Sequence, residues 1–274
     1  MHRKLPARMV ANLFHKLVLY AKAASALRSL NMTGLPLIPK KIFPNAPYNR
    51  SAYNTFVLWI KELGLSNVDR VFDVGANHGD FARSVSACFP SAYISLFEPL
   101  PALWPCLEKL AAHRAGRWSV KPFALGAAGG TLPLHISAGD DSIGSFVGFE
   151  EKYRMANPSA SPSKAIESRI ERLDDFCSRE GIESIDLLKI DVEGFEFDVL
   201  AGAERMLANT HALIVEVSLI RQACGESEPL LRMLEMLLRA GFHLVTAVPS
   251  FYAQGAEAWK PLEYNILARR PSRA

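Results

Sequence analysis

The segment Asp73-Val-Gly-Ala-Asn-His-Gly79 constrains the fold more than any other part of the chain. The residues around its start, Val71, Phe72 and Val74, form a short apolar run of the kind found in the central strands of a parallel sheet. The two glycines then permit a sharp turn, and the residues after Gly79 have a helical pattern. A buried strand that continues through a glycine turn into a helix is typical of α/β domains that bind nucleotides.

The spacing of the glycines narrows the kind of nucleotide. A dinucleotide-binding turn has the pattern G-x-G-x-x-G, and its helix N–H groups bind a pyrophosphate. Here the glycines are at 75 and 79 only, which fits a nucleoside without phosphates better. The next predicted strand, 93–97, is followed by Glu98, 23 residues after Gly75. An acid about 20 residues beyond such a glycine often binds the ribose hydroxyls, so the two features together predict nucleoside binding.

Strands and helices alternate along the rest of the chain, which predicts an α/β fold with a mostly parallel sheet covered on both faces. The predicted helices are 51–63, 79–88, 102–112 and 195–207. The predicted strands are 71–74, 93–97, 118–123, 185–190, 213–217, 242–246 and 264–268. We expect one domain over residues 48–274, with an insertion at about 126–184.

The insertion contains a predicted strand at 131–136, a Gly/Ser/Asp-rich loop at 139–145 and a polar stretch at 157–164. A long excursion of this kind in a compact domain is often functional. We expect it to cover the cofactor and to contact the acceptor.

Charge is distributed unevenly along the chain. Residues 1–61 contain ten Lys or Arg and no acid, whereas the remainder holds 21 basic and 28 acidic residues. The arm over residues 1–47 ends in a proline-containing linker, and its helical part is basic and amphipathic. Such a helix either contacts an anionic membrane surface peripherally or folds back on the domain. An acidic body disfavours nucleic acid as a partner, and four scattered cysteines indicate reduced thiols and a cytoplasmic location.

A second motif, Lys189-Ile-Asp-Val-Glu-Gly194, follows the strand predicted at 185–190. Ligands of open α/β sheets lie at the carboxyl ends of the strands, and strand alternation would direct Lys189, Asp191 and Glu193 to one side. These residues therefore predict a reaction site. The alternative is structural: Lys189 and Asp191 neutralise each other, and Glu196 caps the following helix.

Five motifs occur in an order that resembles the FkbM family of S-adenosylmethionine-dependent methyltransferases. They are D-V-G-A-N-H-G at 73–79, F-E-P at 97–99, A-L-G at 124–126, I-E-R-L-D-D-F at 170–176 and I-D-L-L-K-I-D-V-E-G at 185–194. The resemblance implies a class I methyltransferase (Rossmann-like) fold, doubly wound, with seven strands and the last one antiparallel. It also implies O-methylation of a hydroxyl on a sugar, glycan, lipid or secondary metabolite. The A-A-G-G that follows A-L-G and the Arg172 before L-D-D-F depart from the family pattern.

For a methyltransferase we predict two groups of site residues. The cofactor residues are Asp73, Gly75, Ala76, Asn77 and Gly79 at the methionine end, Glu98 at the ribose, and Phe123, Ala124 and Leu125 at the adenine edge. Asp191 or Glu193 is the candidate base or acceptor-orienting group, and Lys189 would stabilise the developing alkoxide. Glu216 and His78 are weaker candidates for the base.

Three alternatives stay open. Asp191, Glu193 and Glu216 could hold Mg²⁺, which would lower the pKa of the acceptor hydroxyl, although we favour a site without metal. A NAD-linked oxidoreductase shares the glycine turn and the ribose acid, but the chain lacks G-x-G-x-x-G and a Tyr-x-x-x-Lys pair near the fourth strand. A non-catalytic binding protein of the same fold, associated with a membrane through its arm, is the third.

Overall fold

The computed structural model describes residues 50–137, 144–148, 162–220, 228–252 and 260–271. The predicted arm at 1–47 lies outside these residues, as do parts of the loop at 139–145 and of the polar stretch at 157–164. The division of the chain at residue 48 and the membrane contact of the arm therefore stay predictions.

Helices and strands alternate in the described residues. The helices are α1 (Arg50–Glu62), α2 (Asp80–Cys88), α3 (Trp104–Ala112), α4 (Leu173–Arg179), α5 (Glu196–Ala201), α6 (Glu204–Ala208) and α7 (Pro229–Arg239), with a 3-10 turn at Pro101–Leu103. The strands are β1 (Arg70–Val74), β2 (Tyr93–Phe97), β3 (Trp118–Lys121), β4 (Ala124–Leu125), β5 (Gly130–Ser137), β6 (Gly144–Ser145), β7 (Pro162–Glu171), β8 (Ile185–Ile190), β9 (Thr210–Ser218), β10 (His243–Tyr252) and β11 (Pro261–Arg269).

Seven of these strands form the main sheet, in the order β10-β11-β9-β8-β1-β2-β3. Strands β9, β8, β1, β2 and β3 are parallel, whereas β11 runs antiparallel between β9 and β10. The predicted seven-stranded, doubly wound sheet with an antiparallel last strand is confirmed. From β1 the chain builds the sheet outward on one side, through β2 to β3. Strand β8 lies on the other side of β1, so the strand order reverses at β1. Ligands of such sheets bind at the carboxyl ends of the strands at this reversal.

Apolar side chains cover both faces of the sheet because alternate residues of a buried strand point to opposite sides. On β1, Phe72 packs into a cluster with residues of α4 to α7. Its neighbour Val71 packs into a second cluster with residues of α1 to α3. Both side chains have no exposed surface. The rings of Phe97 and Phe176 lie 5.1 Å apart and fill the first cluster below the reversal point.

A second sheet, in the order β4-β7-β5-β6, is built from the insertion. Strand β5 confirms the strand predicted at 131–136. Strand β7, which lies antiparallel to β5, was not predicted. Its alternation is hard to recognise because a serine, Ser168, occupies one of its buried positions, at 5% exposure.

Several predicted element boundaries were wrong, and β10, for example, ends at Tyr252 instead of 246. The third strand ends at Lys121, not Phe123, and Ala124 and Leu125 pair with β7 in the second sheet instead. The helix predicted at 195–207 is two short helices, because Gly202 approaches Gly126 so closely that a Cβ there would overlap the Gly126 carbonyl oxygen. The carboxylate of Asp174 accepts hydrogen bonds from the first turn of α6, which stabilises the break.

None of the helices formed by the described residues has the length and apolarity needed to span a bilayer.

Candidate active site

A cavity opens at the carboxyl ends of β1, β2 and β8, where the strand order reverses. One part of its wall is polar and is formed by Gly75, Asn77, Glu98, Asp191 and Glu193. The other part is apolar and combines Leu100, Ala124, Leu125, Leu134, Phe146 and Phe195. The second sheet supplies much of the apolar part, so the insertion does border the cavity.

The glycine turn is held by backbone contacts between neighbouring strands. The N–H groups of Gly75 and Ala76 both donate to the carbonyl of Phe97, at 3.0 and 3.1 Å. Gly75 has φ 76°, and a Cβ there would overlap the carbonyl oxygen of Asp191 on the adjoining strand end. The backbone after β8 therefore requires glycine at this position.

Gly79 packs against helix α3 and does not border the cavity. A Cβ on Gly79 would meet the side chains of Leu110 and Leu107 on α3, at 3.1 and 3.2 Å. Neither Gly79 nor Ala76 lines the cavity. Asn77, in contrast, lines it with a left-handed backbone, φ 48°.

Glu98 has the geometry expected of an acid that binds ribose. Its side chain lies in the cavity wall at 4% exposure, and the N–H groups of Asn77 and Leu100 donate to Oε2 and Oε1, at 2.8 and 2.9 Å. Burial raises the pKa of Glu98 to about 7, against the opposing effect of these two hydrogen bonds. Each carboxylate oxygen retains a lone pair for a further donor. The ribose diol of a nucleoside therefore fits this wall.

Lys189 links three groups at the strand ends. Its Nζ donates to the carbonyl oxygen of Gly75 at 2.6 Å and lies 3.3 Å from Asp73 Oδ1 and 3.4 Å from Asp191 Oδ2. Burial lowers the pKa of Lys189, but the charges of Asp191 and Asp73 outweigh it and the net shift is upward. Burial raises the pKa of Asp73 to about 6 even though Lys189 opposes the shift. Gly75 and Asp191 are the members of this network that line the cavity, and the Asp191 side chain is 33% exposed.

Glu193 lies where the chain leaves β8 in an unusual backbone conformation. Its φ is 60°, and Gly194 follows with φ 100°. The hydroxyl of Ser145, on β6 of the second sheet, donates to the Glu193 carbonyl at 2.7 Å. One hydrogen bond thus ties the second sheet to the loop that carries both predicted reaction carboxylates.

Further carboxylates gather behind this loop. Oxygens of Glu193, Glu216 and Glu263 lie within 4.8 Å of one another. Burial, together with the charges of Asp191, Glu263 and Glu196, raises the pKa of Glu216 well above its usual range. Our magnesium alternative grouped Asp191 with Glu193 and Glu216, whereas the structure places Glu263 there. Sequence reasoning missed Glu263 because β11 is inserted beside β9, so that Asn265 pairs with Glu216 and Glu263 comes to the same face.

Glu196 is buried at 1% exposure beside the same loop. Its Oε1 accepts hydrogen bonds from the N–H groups of Val192 and Gly194, at 3.2 and 3.0 Å. The sequence offered a helix-capping role for Glu196; its carboxylate instead binds the loop before α5, and α5 has no side-chain cap hydrogen bond. Burial raises its pKa to about 7, against the lowering effect of the hydrogen bonds.

The cavity brings together seven of the twelve predicted site residues, namely Gly75, Asn77, Glu98, Ala124, Leu125, Asp191 and Glu193. Asp73 and Lys189 do not line the cavity, although the Lys189 ammonium group lies 3.4 Å from the Asp191 carboxylate. Phe123 packs in the core against Phe97, with ring centroids 5.7 Å apart. His78, the weaker candidate base, is also outside the wall.

Three aromatic residues of the cavity wall, Phe97, Phe146 and Phe195, were not among the predicted site residues. The rings of Phe146 and Phe195 lie 5.0 Å apart in its wall. Phe195 directly follows the second motif, and this position was the available signal. Phe146 follows β6 in the insertion and carries no such signal.

An antiparallel strand between β9 and β10, a glycine turn after β1 and an acid after β2 together define a class I methyltransferase fold. The family described as the methyltransferase FkbM domain matches residues 73–244. The chain therefore belongs to the FkbM methyltransferase family, as the five motifs predicted.

Two similar proteins are methyltransferases by name. The 2-O-methyltransferase NoeI of Sinorhizobium fredii is 32% identical over 195 residues, which cover 65% of this chain and 74% of NoeI. The 31-O-demethyl-FK506 methyltransferase FkbM of Streptomyces tacrolimicus is 29% identical over 184 residues, covering 60% and 71%. Among solved structures, Aeropyrum pernix fibrillarin with natively bound S-adenosyl-L-methionine matches at a TM-score of 0.44 and 15% identity, covering 79% of this chain and 75% of that one. A similarity this distant says nothing about function.

Proposed function

We propose that this protein uses S-adenosylmethionine to methylate a hydroxyl oxygen of a small molecule or glycan. The observation that carries the proposal is the composition of the cavity wall, which combines Gly75, Asn77 and Glu98 with Asp191 and Glu193. The first three suit a nucleoside, and the last two suit an acceptor with a proton to lose. The names of NoeI and FkbM, which both refer to methyl groups on oxygen, support an oxygen acceptor.

The residues would divide the work as follows. Glu98 binds the ribose hydroxyls through its carboxylate oxygens, and the glycine turn carries the methionine end. Asp191, at the cavity surface, is our candidate for the base that takes the hydroxyl proton, with Glu193 as the second candidate. The bound cofactor supplies an electrophilic methyl group on a sulfonium. The protein holds the acceptor oxygen in line with it, and this positioning accounts for much of the rate.

The second sheet would contact the acceptor. Leu134, Phe146 and Phe195 give the far part of the cavity an apolar, aromatic surface. Such a surface suits the C–H face of a sugar ring or an apolar metabolite better than a highly charged group. The peripheral membrane contact of the arm, the cytoplasmic location and the exclusion of nucleic acid as a partner all stay predictions.

Calorimetry followed by an acceptor screen tests the proposal. The full chain is titrated with S-adenosylmethionine and, separately, with NAD, and then incubated with labelled S-adenosylmethionine and a panel of oligosaccharide, lipid and polyketide alcohols. We expect binding of S-adenosylmethionine alone and label transfer to one acceptor class. Binding of NAD instead would reject the proposal, and binding without transfer to any hydroxyl would favour a non-catalytic role.

The acceptor found in the screen allows the base to be tested. Asp191→Asn should retain cofactor binding and lose turnover by at least about 100-fold, the usual contribution of a general base. Full turnover in this variant would transfer the assignment to Glu193, for which Glu193→Gln is the matched variant.

The proposal does not require a divalent metal. Lys189 already places a positive charge between Asp73 and Asp191, so we expect turnover to survive dialysis against a chelator. Loss of turnover that Mg²⁺ restores would instead favour metal binding by the cluster of Glu193, Glu216 and Glu263.

A further inference from the structure

Lys189 is the charged residue that belongs to both halves of the site. It lies on β8, one residue before the strand ends, and its side chain is only 5% exposed. The atoms around its Nζ come from two segments of the chain, the end of β1 with its turn and the loop after β8. Gly75 and Asp73 belong to β1 and the cofactor turn, and Asp191 belongs to the acceptor side.

The ammonium group donates one hydrogen bond to the Gly75 carbonyl oxygen and forms ion pairs with Asp73 and Asp191. A lysine has three N–H donors and no acceptor. Three oxygen atoms lie within 3.4 Å of Nζ, on Gly75, Asp73 and Asp191. Lys189 also does not line the cavity. These contacts favour a role in holding the site together over the direct role at the acceptor alkoxide that the sequence suggested.

The same contacts fix the relative position of the two loops. Beyond β1 the turn has left-handed backbone at Gly75 and Asn77, and beyond β8 the loop has left-handed backbone at Glu193. The backbone joins the two strand ends by one hydrogen bond beyond the sheet, from the Asp191 N–H to the Val74 carbonyl at 3.1 Å. Side-chain contacts add to this bond. A charge-assisted hydrogen bond to the Gly75 carbonyl and an ion pair to Asp191 supply such contacts.

We infer that Lys189 is a positioning residue that holds the cofactor turn and the acceptor-side carboxylate Asp191 in register. The inference rests on the proposed use of S-adenosylmethionine. In this role Lys189 presets the turn for the cofactor and the direction of the Asp191 carboxylate, and it touches neither substrate.

The test is cofactor binding by variants at residue 189, measured by calorimetry with S-adenosylmethionine on the full chain. Lys189→Met removes the charge and keeps most of the side-chain volume. It should weaken binding at least about tenfold, the equivalent of one charge-assisted hydrogen bond. Lys189→Arg keeps the charge and should recover most of the affinity. Wild-type affinity in Lys189→Met would overturn the inference.

A matched control separates positioning from general loss of stability. Leu237 is buried at 3% exposure on α7, away from the cavity wall. Leu237→Ala should lower Tm and leave the affinity for S-adenosylmethionine unchanged at temperatures where the protein is folded. An equal loss of affinity in both variants would show that Lys189 acts only through stability.

Lys189→Met leaves Asp73 buried without its ion-pair partner, which can prevent folding. The double variant Asp73→Asn/Lys189→Met removes both charges together and is compared with Asp73→Asn alone. We expect the double variant to bind S-adenosylmethionine at least about tenfold more weakly than the single variant. Equal binding would overturn the inference. The two proposals fail differently: absence of binding by the wild type rejects the proposed function together with this role, whereas binding that ignores residue 189 rejects only the role of Lys189.

Discussion

At the scale of single residues, Glu98 makes cofactor binding sensitive to pH. In the free protein its pKa is raised to about 7, chiefly by burial. Ribose hydroxyls that donate to the carboxylate favour its charged form, so binding should lower this pKa and release a proton. The affinity for S-adenosylmethionine should therefore increase as pH rises towards 7 and level off above it.

This coupling is measured by calorimetry in buffers of different ionisation enthalpy. Near pH 7 we expect the wild type to release on the order of half a proton per cofactor bound. Glu98→Gln should release none and should bind more weakly. An unchanged proton count in Glu98→Gln would assign the release to another group.

Gly75 gives a second prediction at this scale. Gly75→Ala should be far more destabilising than Gly116→Ala, although both glycines have φ 76°. An added Cβ meets nothing within 4 Å at Gly116 but overlaps the Asp191 carbonyl at Gly75. Urea denaturation should give a loss of about 1 kcal/mol for Gly116→Ala, from the backbone angle alone, and at least about 3 kcal/mol for Gly75→Ala. Similar losses would mean that the turn can move away from β8.

At the scale of elements, we expect the contact between β6 and the loop after β8 to affect acceptor binding. Ser145→Ala removes the hydroxyl that donates to the Glu193 carbonyl. We expect about 1–2 kcal/mol of lost stability. We also expect a higher KM for the acceptor, because Glu193 and the second sheet lose their connection. The dissociation constant of S-adenosylmethionine should change little.

Thr210→Val is the control for this variant. The Thr210 hydroxyl is also fully buried and also donates to a backbone carbonyl at 2.7 Å, that of Met206, but it is not in the cavity wall. It should lose comparable stability and keep the KM of the wild type. A parallel rise in KM in both variants would contradict a specific role for Ser145.

The elements also show what the sequence could predict. The main strands were predictable because their apolar runs are buried on both faces, as at Val71, Phe72 and Val74. Strand β7 was not, because it is covered on one face and buries Ser168 there. The break at Gly202 was missed because it depends on the approach of Gly126, which is distant in sequence.

Site residues that directly follow a strand of the main sheet could be predicted from the sequence. Glu98 and Asp191 fit that rule. Lys189 lies within β8 and does not line the cavity, because its ammonium group contacts oxygen atoms of Gly75, Asp73 and Asp191. Glu263 and Phe146 could not be predicted from the sequence. Glu263 comes to the site because β11 lies beside β9, and Phe146 comes to it through the second sheet.

At the scale of the whole molecule, buried carboxyls set the response of the fold to pH. Burial raises the pKa of Glu98 and Glu196 to about 7 and that of Asp73 to about 6. When the pKa of an acid is higher in the folded protein than in the unfolded chain, folding favours the protonated form of that acid. Its contribution to stability is present below the unfolded pKa and is lost as pH rises to the folded pKa. Tm should therefore fall as pH rises from about 4.5 to 7.

Glu196→Gln should flatten this dependence. The amide oxygen can still accept the hydrogen bonds of Val192 and Gly194, and the buried charge is gone. At pH 8 the variant should be more stable than the wild type by at most about 3 kcal/mol, and at pH 4.5 the two should be similar. Thermal unfolding across this pH range checks the prediction, with the exposed Glu108→Gln as control. A parallel pH profile in Glu196→Gln and the wild type would contradict it.

The overlap that excludes a side chain at Gly75 also limits how the enzyme can be re-engineered. The α-carbon of Gly75 packs against the backbone of the loop after β8. Exchanging that loop for one of different shape would therefore displace the glycine turn too. The second sheet meets the same cavity without this backbone contact at Gly75. Attempts to change the acceptor should therefore begin with Leu134 and Phe146. Substitutions there can reshape the cavity without changing the contact between the glycine turn and the loop after β8.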